Sequence, residues 1–267
     1  MADLSNYILS NGILAIDAGN TRVKWGLFDE AGRLARHGAC LNTELADLRL
    51  PVAEKVVISN VAGNTIETQL KLLLANHADV CWITSQTEAC GVRNSYLQTE
   101  KLGTDRWAAL IAAWHIKQAP CVVVNAGTAV TIDALDNATF TGGLILPGMD
   151  LMQQSLYLGT AQLPIQNARR DTAVDIFATS TNDAIYAGTL FAIVGAITLM
   201  TQELQKKTGQ LSNQAPWVLM SGGNAAVIHR QLMQHDFGHD TGRVTKQAII
   251  VDNLVLQGLY LLGLAKN

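Results

Sequence analysis

Asp17-Ala18-Gly19-Asn20-Thr21 and Asn125-Ala126-Gly127-Thr128 are short glycine turns set between apolar runs, in ILAIDAGNTRVKWGLF and CVVVNAGTAVTIDAL. Glycine lets a backbone come close to a phosphate, and the neighbouring Asn and Thr add donors beside the peptide N–H groups. An acid at the end of the first run, Asp17, can hold Mg2+ or its water shell. The chemistry on offer is the gripping of a nucleotide's phosphates. Two ordinary hairpin turns would leave the same signal, and spacing alone does not separate the readings.

The elements that must position these turns come in a repeated order. Ile13–Asp17, Val23–Phe28 and Arg33–Gly38 read as strands, the last two joined by the turn Asp29-Glu30-Ala31-Gly32. Val56–Ser59 reads as a fourth strand, Thr65–Asn76 as a helix, Val80–Ile83 as a strand and Asp105–Lys117 as a helix. Strands at Cys121–Val124, Val130–Leu135 and Thr139–Leu146 then repeat the opening, with Asn125 standing 108 positions after Asp17 and the second turn one residue shorter. Helices are predicted over Gly148–Tyr157 and Asn182–Lys207. Strand Trp217–Met220 leads through Ser221-Gly222-Gly223-Asn224 into a helix to Gln234, and a last helix covers Gln247–Ala265.

This β-β-β-α-β-α order, present twice, resembles the actin, sugar-kinase and heat-shock ATPase superfamily, a duplicated ribonuclease H-like α/β fold. The resemblance implies a nucleotide cleft between two halves, with phosphates between facing hairpins and adenosine beside the glycine pair of Ser221–Asn224. No Pro/Gly/Ser-rich linker interrupts the chain. The expected division is residues 1–118, with the phosphate loop and a substrate turn, and 119–267, with the second hairpin, adenosine loop and a dimer helix. The boundary then falls near Gln118–Ala119.

Composition limits the alternatives. Hydrophobic residues make up 49% of the 267 and charged ones 15%, which suits a buried core rather than disorder. A net charge of −3 without a basic face argues against nucleic acid as partner. Cys40, Cys81, Cys90 and Cys121 form no CxxC pair, so neither zinc nor a disulfide framework is indicated, and the compartment is expected to be reducing. His235 and His239 have i, i+4 spacing, but Phe237-Gly238 between them argues against a helical metal pair; they are expected on the surface. No basic start followed by an apolar run marks a signal peptide. Ala184–Met200 has no charge over 17 residues. As a helix it spans about 25 Å against the roughly 30 Å of a bilayer core, and is read as a buried or subunit-interface helix, not a membrane span.

Within the superfamily the chain resembles type III pantothenate kinases, also called Bvg accessory factors. The resemblance rests on DAGNTRVKW (Asp17–Trp25), Tyr96 followed by LGTDRW (Leu102–Trp107), NAGTAVTIDAL (Asn125–Leu135), GGLILPG (Gly142–Gly148), STNDAIYAG (Ser180–Gly188) and SGGNA (Ser221–Ala225). It implies ATP-dependent phosphorylation of pantothenate, the first step towards coenzyme A, by a cytoplasmic homodimer using Mg2+. Asp17, Ala18, Gly19, Asn20, Thr21, Arg22, Val23 and Lys24 would form the ATP phosphate loop, and Thr128 would contact ATP from the second hairpin. Gly103, Thr104, Asp105 and Arg106 would hold pantothenate together with Tyr96 and Thr181, with Asp105 accepting the proton.

Each of these residues also has a plainer role. Asp105 stands at a helix start, where the N-terminus of the helix favours its ionised form, and it could simply cap that helix. Arg106 could reach the substrate or bridge to Asp133 or Glu100. Lys24 alternates with Val23 and Trp25 on a strand and could face solvent. Tyr96 could pack its ring, and Thr181 could cap the long helix. The family commonly carries aspartate at the position of Asn125, where it helps bind a monovalent cation, K+ or NH4+. Asparagine lacks the charge, so reduced or absent potassium dependence is expected, and no metal ligand is assigned there. Another kinase or a phosphatase of the superfamily, or a non-catalytic regulatory protein, are the competing functions.

Overall fold

The computed structural model describes residues 12–159, 174–208, 215–234 and 247–265. β1 (Ile13–Ala18) is buried on both faces from Leu14 to Ala18, which is why ILAIDA reads as a continuous run and not an alternation. β2 (Arg22–Phe28) and β3 (Leu34–Leu41) follow it antiparallel, while β4 (Lys55–Asn60) lies parallel on its other side. α1 (Asn64–Leu73) supplies the crossover to β5 (Asp79–Trp82), giving the order β3-β2-β1-β4-β5. A short hairpin, β6 (Glu88–Ala89) and β7 (Val92–Asn94), precedes α2 (Thr104–Lys117).

The plan then recurs. β8 (Cys121–Ala126), β9 (Ala129–Asp136) and β10 (Thr139–Pro147) are antiparallel neighbours. After α3 (Met149–Gly159) and α4 (Thr181–Thr208), β11 (Trp217–Ser221) joins β8 in parallel. α5 (Ala225–Gln234) connects it to β12 (Ala248–Ile250), and α6 (Leu254–Ala265) ends the described chain. Within the second sheet, the five-strand run β10-β9-β8-β11-β12 matches the first sheet's order β3-β2-β1-β4-β5. In the first hairpin four residues, Gly19 to Arg22, separate the paired Ala18 and Val23; in the second only Gly127, Thr128 and Ala129 separate Ala126 and Val130. The one-residue slip seen in the sequence is therefore a shorter turn.

Three expectations need adjustment. The last helix does not begin at Gln247: residues 248–250 form β12, where Ile249, Ile250 and the following Val251 favour an extended backbone. Asn253, at φ +55°, then breaks the strand before α6. The β6–β7 hairpin was not anticipated, because strands of two and three residues carry no periodicity to read. The contacts also divide the chain inside α2, into residues up to Ala112 with those from Leu254 onward, and Ala113–Asn253. α6 thus belongs with the first unit and not with 119–267, because its apolar side packs on β1, β2 and β4. His235 and His239 lie outside the described residues.

Two contacts fix α6 there. Gly258 lets its backbone touch that of α2: a Cβ at this position would overlap the Ala108 carbonyl and stand 2.9 Å from its Cα. Lys55, itself buried, donates from Nζ to the Gly263 carbonyl at 2.7 Å, supplying positive charge to the last turn of the helix. Gly258→Ala is expected to cost about 2 kcal/mol or more, since neither backbone can yield without moving a core helix. Urea denaturation checks this; a variant as stable as the wild type would show that the two helices separate freely.

In the second unit α4 packs on α3, β8 and β9. Buried threonines along it, Thr189, Thr198, Thr201 and Thr208, bond back to carbonyls of their own helix, so the core bears no unpaired hydroxyl from them. The helix is long and apolar enough to cross a membrane by length and composition, yet 56% of its most apolar stretch is buried inside the protein. That burial is the pattern of a core helix.

Candidate active site

Asp17 occupies the penultimate position of β1, directly opposite Lys24 on β2 and in parallel register with Ser59 on β4. Opposed residues of a ladder share one face of the sheet, so the lysine is half-buried beside the acid rather than turned to solvent. The Asp17 carboxyl is pushed up to about 7, first by burial and then by the charge of Asp105, with Lys24 pulling the other way. Its Oδ1 is buried and has no hydrogen-bond partner. Past it the chain turns with Gly19 N–H donating to the Arg22 carbonyl at 3.0 Å. Asn20, Thr21 and Arg22 are exposed at the tip, while Ala18 and Val23 anchor the turn in the core.

A second turn of the same unit presents Asp105. Ser85 Oγ donates to the Leu102 carbonyl at 2.8 Å, and Ser59 Oγ lies 2.8 Å from Thr104 Oγ1. Both serines are buried, so they tie this turn to the end of β4 and to the segment that follows β5. Gly103 leaves room for the acid: a Cβ there would come within 2.7 Å of Asp105 Oδ1. That oxygen accepts from the Arg106 backbone N–H at 2.8 Å. A helix start by itself would hold Asp105 ionised. In the structure burial outweighs it and raises the carboxyl, with the Arg106 N–H and guanidinium opposing.

Arg106 is itself buried, its guanidinium 6.0 Å from the centre of the Tyr96 ring, which is 38% exposed. Asn94 holds the Tyr96 segment, accepting from Tyr96 N–H and donating to the Thr99 carbonyl. Tyr96 and Arg106 are thus brought together, with Asp105 bonded to the Arg106 N–H, and the charge of Asp105 contributes to raising the Asp17 carboxyl. Ser59 and Ser85 were missed by sequence reasoning. The only signal available was a small polar residue at the end of an apolar strand, which is too common to single out.

The remaining candidates belong to the second unit. Thr128 is exposed at the β8–β9 turn, and its carbonyl accepts from Gly148 N–H at 2.8 Å. Asn125 is paired with Thr131 and with Ser221, as Asp17 is with Lys24 and Ser59. Gly222, at φ +105°, lies so close to Ala126 that a Cβ would meet its backbone at 2.5 to 2.9 Å; only glycine suits the position. Thr181 is exposed in the first turn of α4, but Ser180 caps that helix, its Oγ accepting from Asp183 N–H at 3.1 Å.

Among the described residues no three His, Cys, Asp or Glu side chains gather around a point. A divalent ion would therefore lean on Asp17, whose orphaned Oδ1 fits that use, with water and phosphate oxygens completing the shell as Mg2+ prefers. Asn125 offers a neutral oxygen and no charge to a monovalent ion.

A duplicated strand order with glycine hairpins and an acid at the end of the first strand defines the actin, sugar-kinase and heat-shock ATPase class of α/β proteins. Solved structures agree on the fold. A Campylobacter jejuni protein described as a Baf family transcriptional activator superposes with a TM-score of 0.58 at 22% identity, covering 92% of this chain and 94% of its own. The ethanolamine utilization protein EutJ of Carboxydothermus hydrogenoformans gives 0.52 at 11% identity, covering 97% and 92%. The sequence profile of type III pantothenate kinases matches residues 13–203. Similar relatives are the type III pantothenate kinases of Nitrosospira multiformis, 42% identical over 92% of this chain and 89% of theirs, and Methylobacillus flagellatus, 39% identical over 93% and 96%. The chain belongs to the type III pantothenate kinase family.

Proposed function

We propose that the chain transfers the terminal phosphoryl of ATP to the primary hydroxyl of pantothenate, forming 4'-phosphopantothenate and ADP, the first step of coenzyme A synthesis. The observation that carries this reading is a pair of acids in one unit, Asp17 buried at the end of β1 and Asp105 half-buried on the turn that Ser59 ties to β4. Asp105 accepts a hydrogen bond from the attacking hydroxyl, aims it in line, and takes its proton as the new P–O bond forms and the bond to ADP breaks. Gly103 and Thr104 shape that position, while Tyr96, Arg106 and Thr181 bind the remainder of pantothenate. The backbone from Asp17 to Lys24 and the Thr128 turn hold the phosphates, and Ser221–Asn224 lines the adenosine. Mg2+, when bound at Asp17, neutralises charge on the phosphates. Most of the acceleration in phosphoryl transfer comes from such positioning and neutralisation.

The test is product formation from ATP and pantothenate, followed by mass spectrometry, beside hydrolysis of a simple phosphate ester. New phosphopantothenate with no ester hydrolysis supports the kinase. Ester hydrolysis alone would favour a phosphatase, and neither product would favour a regulatory role.

The protein acts in the cytoplasm as a homodimer. Apolar side chains left exposed on the second unit, including Ile145, Leu158, Phe177 and Leu199, support a second copy as partner. The charge missing at Asn125 leads to a further expectation. Activity should change less than about twofold when K+ or NH4+ is replaced by a bulky organic cation, whereas Asn125→Asp should introduce a dependence, since a carboxylate adds the attraction that the amide lacks. Strong potassium activation of the wild type would contradict this.

A further inference from the structure

Asn42 lies outside every motif named above, yet it touches the phosphate loop at three consecutive peptides. Its Nδ2 donates to the carbonyls of Gly19 and Asn20, each at 3.0 Å, and its backbone N–H donates to the Thr21 carbonyl at 3.1 Å. The C=O and N–H of a trans peptide point in opposite directions across the same plane. Drawing these three carbonyls towards Asn42 therefore turns the N–H groups of Asn20, Thr21 and Arg22 the other way. Successive N–H groups turned to one side form a concave anion site.

A second observation fixes the orientation of the amide. Asn42 Oδ1 is buried with no hydrogen-bond partner. Rotating the amide by half a turn would set that oxygen against two carbonyl oxygens, so the donor end must face the loop. The unpaired acceptor is tolerated for what the donors achieve.

We infer that Asn42 is a positioning residue for nucleotide binding: it straps the loop so that its N–H groups are aimed at an anionic phosphate before the nucleotide arrives. This rests on the reading of Asp17–Lys24 as the ATP phosphate loop. Without the strap the peptides can rotate, and part of the binding free energy goes into ordering them. In the proposed arrangement pantothenate is held by the Asp105 turn and not by this loop.

The experiment measures KM for ATP and for pantothenate in Asn42→Ala, Asn42→Asp and Asn42→Gln, with Asn20→Pro as a loop control and thermal melting to verify folding. Asn42→Ala should raise KM for ATP about tenfold, equivalent to about 1.4 kcal/mol, with KM for pantothenate within twofold of the wild type. Asn42→Asp keeps the size but loses the donors and adds negative charge, so its KM for ATP should rise further. Asn42→Gln, still a donor, should recover part of the loss. An unchanged KM for ATP in folded Asn42→Ala and Asn42→Asp, with Asn20→Pro impaired, overturns the inference alone. If Asn20→Pro also leaves KM for ATP unchanged, the loop reading falls and the inference falls with it. A variant that loses affinity for both substrates equally, or that fails to fold while Asn42→Asp binds ATP normally, shows that Asn42 serves only the general architecture.

Discussion

Asp105→Asn should lower turnover at least about a hundredfold, within the range of a positioned acid–base group, while pantothenate binding changes little. Asparagine keeps the shape and can still meet the Arg106 N–H through its carbonyl, so the turn held by Ser59 and Ser85 is preserved. What disappears is the oxygen proposed to take the hydroxyl proton. The same change removes a negative charge that helps raise Asp17, so Asp17 should titrate below about 7 in the variant. Single-turnover kinetics and a carboxyl-detected NMR titration read the two effects separately. A variant with wild-type turnover would leave Asp105 as a helix cap.

Asp17→Asn should cost at least as much activity and yet make the folded protein more stable above neutral pH. The sign follows from the direction of the shift. The carboxyl is raised from 3.8 to about 7 in the folded chain, so the native state keeps a proton that the unfolded state has already lost between these values. Stability then falls as pH rises through that window. The full penalty, present above pH 7, is of order 4 kcal/mol at about 1.4 kcal/mol per pKa unit. Asparagine removes it. Urea denaturation in EDTA should place the variant above the wild type at pH 8, with the gap closing towards pH 4. An equal difference at both pH values would show that the Asp17 charge is not the cause. The second unit carries this change already: Asn125 sits in the register that Asp17 occupies in the first.

The sequence exposed most of this because the relevant signals are local. The glycine turns, the buried acid before the first one and the missing residue in the second could all be read from a few neighbours. Whether Lys24 faced solvent could not, since that depends on the cross-strand register that sets it opposite Asp17. The upward push on the Asp105 carboxyl comes first from burial, which a helix-start rule does not register. Ser59, Ser85 and Asn42 act across 45, 17 and 23 positions of chain, with no spacing to mark them. α6 joins the first unit through Gly258 and Lys55, a partnership across the whole chain that no linker announces.

In the proposed reaction one carboxylate, that of Asp105, receives a proton from an alcohol. The structure of Asp105 in the wild-type enzyme bound to pantothenate and a non-hydrolysable ATP analogue measures it most directly. A side-chain oxygen within about 3.2 Å of the primary hydroxyl is the expected result. If that hydroxyl is instead held by another group, with Asp105 bonded only to its own helix, the account is wrong.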